Sequence, residues 1–161
     1  MKSACIKYGN DISTDLIIAG KYTKTLVLSD LALHAMEDLD LDFHKKVESG
    51  RRIIVAGSYF GCGSSREQAP VALKESGIEL IVAKSFSRIF YRNAVNIGLP
   101  IVECDTDEIE DGDVIEYVLG GNRLQNKTRG LSLPVAQLPE IMVEILNDGG
   151  ILGHFAKKGT F

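Results

Sequence analysis

The sequence has no tryptophan, and its three cysteines (Cys5, Cys62, Cys104) stand far apart. With no CxxC pair and no even, closely spaced set, neither a disulfide framework nor a thiolate metal site is readable in it. No apolar run approaches the roughly 20 residues of a membrane-spanning helix, and Met1 to Asn10 lacks a signal peptide's apolar core. A cytoplasmic protein with reduced thiols and no metal site of its own is therefore expected. A surplus of positive charge is also missing. The net charge of -4 argues against nucleic acid as the main partner, because phosphate backbones need concentrated Lys and Arg. Repeats, low-complexity segments and internal linkers are absent as well. What remains is ordinary for a globular protein: 161 residues, 45% hydrophobic and 25% charged, expected to form a single domain over residues 1–161.

The chain is organised around Gly57-Ser58-Tyr59-Phe60-Gly61-Cys62-Gly63-Ser64-Ser65-Arg66-Glu67-Gln68. The apolar run Ile53-Ile54-Val55-Ala56 before it predicts a buried strand. The alanines and Leu73 after it predict a helix over 67–76 that Gly77 ends. Ser65 with Gln68 fits a capping box at that helix start. The pattern then alternates: a strand at Ile78–Ala83, a helix capped by Ser85 and stopped by Gly98 and Pro100, and a short strand at Ile101–Glu103. Ahead of the loop, Ala4–Tyr8 reads as a strand, Ser29-Asp30 as a helix start, and Asp38–Asp42 as a solvated acidic turn. Beyond residue 112, Gly120-Gly121-Asn122 signals a hairpin, Leu131–Val135 an edge strand and Pro139–Asn147 a helix. The tail from Gly150 to Phe161 carries no readable signal.

Chemistry gathers in the glycine loop. Glycines let the backbone curl until several N–H groups converge on one oxygen, a nest for negative charge. Arg66 adds a permanent planar cation matched to carboxylates. Ser64, ahead of the capping serine, keeps its hydroxyl free. A serine oxygen becomes a useful base only where its anion is stabilised, and a nest with an arginine does that. The alternative is two serines that only cap a helix, which would leave a non-catalytic anion-binding module. A Ser-His hydrolase is not indicated, since no histidine is near and Gly-x-Ser-x-Gly is absent. His34 is read as a packed residue, and Cys62 as a residue small enough for the loop.

Three ordered stretches resemble a known family: Gly61-Cys62-Gly63-Ser64-Ser65-Arg66-Glu67, then Ala83-Lys84-Ser85-Phe86-Ser87-Arg88-Ile89-Phe90-Tyr91-Arg92-Asn93, then Gly98-Leu99-Pro100. With Asp11-Ile12-Ser13-Thr14-Asp15 ahead of them, they look like the small subunits of 3-isopropylmalate dehydratases. That family is similar to the mobile C-terminal domain of aconitase. The resemblance implies an α/β fold, the swivelling β/β/α domain of the aconitase C-terminal-domain type. It implies a hydro-lyase subunit of leucine biosynthesis, active only with a separate large subunit that carries a [4Fe-4S] cluster. This chain would bind no cofactor itself.

By the same resemblance Ser64 would take the carbon-bound proton of a 2-hydroxy diacid. Arg66, with Ser65, would bind its carboxylate or steady the serine oxygen, and Asp15 would orient a histidine of the large subunit. Tyr22, Thr23 and Lys24 fall where relatives recognise the substrate's side arm, in a segment over residues 20–30 expected to be mobile without partner and ligand. Thr23 replaces a leucine, and Lys24 stands near the arginine place of homoaconitases. Isopropylmalate, homocitrate and dimethylmalate therefore all stay open, and Lys24 either binds a third carboxylate or extends into solvent. Gln68 replaces the family's usual histidine.

Overall fold

The apolar runs form the middle of a seven-stranded sheet in the computed structural model, which describes residues 1–159. The strands are β1 (Lys2–Lys7), β2 (Ile53–Ala56), β3 (Leu80–Ala83), β4 (Ile101–Glu103), β5 (Val114–Glu116), β6 (Arg123–Asn126) and β7 (Leu131–Pro134). They lie in the order β4-β3-β2-β1-β5-β6-β7. The first four pair in parallel and the last three antiparallel, so β1 joins the two halves. All four residues of β2, and all four of β3, are buried, as expected where both faces of a parallel sheet are covered. The two-residue period separates two cores. Ile6, Ile54 and Ile81 face the helices, while Cys5, Ile53, Leu80 and Val82 face Tyr117 and Leu124 from the antiparallel half, which curls over them. The curl brings the two edges together: the Ala136 N–H donates to the Glu103 carbonyl at 2.9 Å.

Among the described residues seven helices complete the fold: α1 (Thr14–Ile17), α2 (Leu28–His34), α3 (Phe43–Glu48), α4 (Gln68–Ser76), α5 (Arg88–Asn96), α6 (Glu140–Asn147) and α7 (Ile151–Lys158). The strands, the hairpin and the stop at Gly77 follow the sequence reading. Several local assignments do not. Ser65 caps nothing, since α4 starts without a side-chain cap, and Gln68 instead donates to the Thr23 carbonyl at 3.2 Å. Ser87, not Ser85, caps α5; Ser85 accepts from the Tyr59 N–H.

Two further readings change. The acidic turn is not wholly solvated: the Asp40 carboxylate accepts from Tyr8 Oη and Lys46 Nζ, each at 2.8 Å. The unread tail forms α7, whose His154 is buried with Nδ1 2.8 Å from Asp148 Oδ2. Its last residues, 160–161, which also close the expected domain, lie outside the described residues.

Candidate functional site

Three loops meet at the C-terminal ends of the parallel strands, the usual place for a site in an α/β sheet. The loop after β1 carries Asp11 to Asp15, the loop after β2 carries the glycines and serines, and the loop after β3 leads through Ser87 into α5. Backbone bonds lock them together. Gly61 N–H donates to the Ile12 carbonyl at 2.7 Å, Thr14 N–H to Cys62 at 2.8 Å, and Ser87 N–H to Phe60 at 3.0 Å.

The serine loop turns on positive φ angles at Gly61 (81°) and Gly63 (97°), a conformation costly for residues with a Cβ. A side chain at Gly61 would also collide with the Phe90 ring. The turn leaves Ser64 exposed, and the N–H groups of Gly63, Ser64 and Ser65 have no acceptor among the described residues. Free amides are one requirement of the nest that the glycines suggest. Beneath it sits a residue that sequence reasoning passed over. Thr14 is 2% exposed; its hydroxyl donates to the Ser64 carbonyl at 3.0 Å and lies 3.2 Å from Ser64 Oγ. Its only signal in the sequence was its place inside the Asp11–Asp15 stretch.

Arg66 and Asp15 meet each other rather than standing apart. The Arg66 guanidinium pairs with Asp15 Oδ1 and donates to the Ile18 carbonyl at 3.0 Å. Asp15 is nonetheless well exposed, and its second oxygen has no partner among the described residues. Arg66 also lies against Gly20, where an added Cβ would sit 3.1 Å from its Nη2.

The segment carrying Tyr22, Thr23 and Lys24 is held beside this pair. Gly20–Tyr22 is a turn of 3₁₀ helix, and Gln68 tethers the Thr23 carbonyl. The Tyr22 ring stacks on His34, with centroids 3.7 Å apart and planes 3° from parallel. His34 is thus a packing partner, held by Glu37 at 3.0 Å. Lys24 is exposed and makes no ion pair among the described residues. Leu26, Val27 and Leu28 follow it, 97%, 53% and 48% exposed.

A concavity of about 500 Å³ opens beside Ser64, lined also by Tyr59, Phe86 and Arg88. The structure therefore joins Ser64 to Thr14 and Arg66 to Asp15, but the concavity at Ser64 is lined by Arg88 and by none of Arg66, Asp15, Tyr22, Thr23 or Lys24. Ser65 is exposed and makes no side-chain hydrogen bond.

The three cysteines are free, and burial pushes the Cys5 and Cys104 thiols up to about 11. No three His, Cys, Asp or Glu side chains gather as a metal site among the described residues.

The chain is similar to known proteins over most of its length. The aconitase C-terminal domain family matches residues 11–106. The chain is 49% identical to the 3-isopropylmalate dehydratase small subunit 2 of Archaeoglobus fulgidus over 154 residues, 95% of this chain and 93% of that one. It is 51% identical to small subunit 1 of the same organism, over 94% of each chain. With the small subunit of Caldanaerobacter subterraneus subsp. tengcongensis it shares 47% identity, over 98% of this chain and 99% of that one. The crystal structure of a 3-isopropylmalate dehydratase from Methanocaldococcus jannaschii superposes with a TM-score of 0.92 at 43% identity, covering 98% of this chain and 94% of that one.

Proposed function

We propose, from the premise that the chain belongs to the aconitase C-terminal domain family and is a hydro-lyase subunit of the 3-isopropylmalate dehydratase small-subunit type, that Ser64 is its catalytic base. The observation that carries this reading is the placement of Ser64: exposed, on a loop whose amides are free, with a buried threonine hydroxyl within reach. Dehydration of a 2-hydroxy diacid removes a proton from the carbon beside a carboxylate and expels the hydroxyl from the neighbouring carbon. Ser64 Oγ takes that proton. Serine in water is too weak a base for this, so its oxygen needs donors that strengthen as charge develops. The free amides of residues 63–65 and the Thr14 hydroxyl supply them. On rehydration Ser64 returns its proton to the adjacent carbon.

Arg66 binds the carboxylate next to the reacting carbon, using the N–H groups that Asp15 and Ile18 leave over. The Ile18 carbonyl fixes the plane of the fork, and Asp15 keeps the guanidinium from swinging into solvent. The free Asp15 oxygen is available to a histidine of the partner. Ser65 offers a further hydroxyl to the substrate.

The words "small subunit" in the relatives' names imply a large-subunit partner, and we place the [4Fe-4S] cluster there, where it would act on the departing hydroxyl. No three His, Cys, Asp or Glu side chains among the described residues gather where they could hold it. No helix among the described residues is long and apolar enough to cross a membrane. A cytoplasmic location belongs to the same reading and suits three unpaired cysteines.

For the substrate we propose isopropylmalate, with exposed Leu26, Val27 and Leu28 as apolar surface for the branched arm. Unpaired Lys24 favours homocitrate as the second reading, and dimethylmalate is the third candidate. Turnover of all three by the reconstituted pair of subunits separates them. In the same assay Ser64→Ala should lower kcat by about 10²–10⁴-fold with little change in KM, the range for loss of a positioned base. Full turnover by that variant would sink the assignment and leave an anion-binding module.

A further inference from the structure

A second concavity, of about 460 Å³, lies between α5, α6 and β4, within the size range of small-molecule sites. Its floor is apolar, with Phe86 and Ile145 buried and Met142 half-buried. Its rim carries both signs of charge, Arg88 and Arg92 from α5 and Glu103 from β4. None of these three charged side chains makes a hydrogen bond or ion pair among the described residues. Elsewhere in the fold opposite charges do close up, Lys84 on Asp107 at 2.5 Å and Arg129 on Asp113 at 3.0 Å. Here they face one hollow and stay apart. Burial and then the Glu103 charge push the Tyr91 hydroxyl's pKa up. The carboxylate is therefore felt inside the hollow, where Tyr91 is also a wall.

From this juxtaposition of two free guanidiniums, one free carboxylate and an apolar floor, we propose a second ligand site that takes a small apolar α-amino acid. The ligand carboxylate meets Arg88 and Arg92, its ammonium meets Glu103, and its side chain covers Phe86 and Met142. Simpler ligands leave a charge opposed. A monocarboxylate puts its charge beside an unanswered Glu103, and an amine faces two guanidiniums. A hydroxy diacid brings a second negative charge and no positive one. Each such ligand forgoes an ion contact or sets like charges side by side, and that difference gives the selectivity.

The site is coupled to Ser64 through shared residues. Phe86 and Arg88 line both hollows. The Phe86 ring also packs edge-on to Phe60, centroids 6.0 Å apart, directly before Gly61 of the serine loop. An amino acid that draws Arg88 to its carboxylate withdraws that cation from the Ser64 hollow, so it should weaken binding of the diacid. Reciprocally, diacid should weaken amino-acid binding by the same factor.

Calorimetric titration of the full chain and of the reconstituted two-subunit enzyme tests this, with leucine and valine against 4-methylpentanoate, 3-methylbutylamine and glycine. Leucine should bind saturably, and each of the last three should bind at least about tenfold more weakly, as expected for losing one charged contact or the apolar one. Glu103→Gln should abolish the preference for leucine over 4-methylpentanoate, and Arg92→Met the preference over 3-methylbutylamine. Both variants should keep the wild-type melting temperature and the turnover measured without amino acid. No heat with leucine up to about 10 mM, a Kd too weak for a built site, would overturn the proposal. Equal binding of 4-methylpentanoate would do the same. So would loss of binding when the large subunit joins, which would make the hollow part of the subunit interface. The readout is heat of binding, so it stands or falls separately from the role of Ser64.

Discussion

At Ser64 the deciding contact is with a residue of low prominence in the sequence. Thr14 Oγ1 has one proton, and at rest it goes to the Ser64 carbonyl at 3.0 Å. As charge develops on Ser64 Oγ, 3.2 Å away, the same hydroxyl can turn to it. Thr14→Val keeps the shape and removes the donor. The Ser64 carbonyl keeps its bond from the Arg66 N–H at 2.9 Å, so the variant should lose only about 0.5–1.5 kcal/mol of stability, the net worth of one hydrogen bond, visible as a lower urea midpoint. In turnover assays kcat should fall by about 10²–10³-fold, the share expected of one oxyanion donor, and an unchanged kcat would remove Thr14 from the site. Gln68 is a positioning residue of another kind, since its amide touches only the Thr23 carbonyl. Gln68→Leu should raise KM by about 2–10-fold, the worth of one neutral hydrogen bond, with kcat nearly unchanged. A Gln68→His variant that restores KM would show that the donor, and not the shape, is what counts.

At the level of elements, the strand-loop-helix unit around β2 was legible because its signals are local. An apolar tetrapeptide, glycines at the turn and a glycine at the helix end all act within a few residues. The caps were not legible, because two serines precede α4 and two precede α5, and backbone geometry decides which of them, if any, caps. Ser87 caps α5 since its hydroxyl also donates to the Gly61 carbonyl at 2.9 Å, a contact between two loops that no local pattern announces. Gly61 is where this element is most vulnerable. Alanine there would adopt a left-handed φ and press on Phe90, costing about 1–2 kcal/mol for the conformation and about 1–3 for overpacking. Gly61→Ala should lower the urea midpoint and disrupt Ser64, so activity should fall further than the stability loss alone requires. A variant with wild-type kcat would show that the loop's turn is not needed for catalysis.

Across the whole molecule, stability should decline in acid through carboxylates joined to distant elements. Burial alone would raise Asp113, but the Glu110 N–H, the Asn126 amide and the Arg129 guanidinium together hold it below the ordinary carboxylate range. Asp40 behaves likewise: Lys46 and Tyr8 outweigh its burial and hold it low. A carboxylate held low in the folded chain contributes stability that is present above its unfolded value, about 3.9. That contribution is lost as pH falls through the lower folded values. Urea midpoints should therefore be flat from neutrality down to about pH 4 and drop below it, less steeply in Asp113→Asn; a profile flat to lower pH would contradict this. The acidic run shows why such a term escapes a sequence reading: Asp38, Asp40 and Asp42 are alike as letters, and only Asp40 meets Tyr8 and Lys46 once β1 and α3 are packed. By itself the sequence determined the strands, the stops, the serine loop and its resemblance, because hydrophobic period and backbone preference act over short range. Tertiary structure alone decided that Asp15 answers Arg66, that Thr14 lies under Ser64, that Gln68 holds the segment of Tyr22, and that the tail is a helix. Each depends on groups from separate loops or helices arriving at one point, and their distance along the chain leaves no local trace.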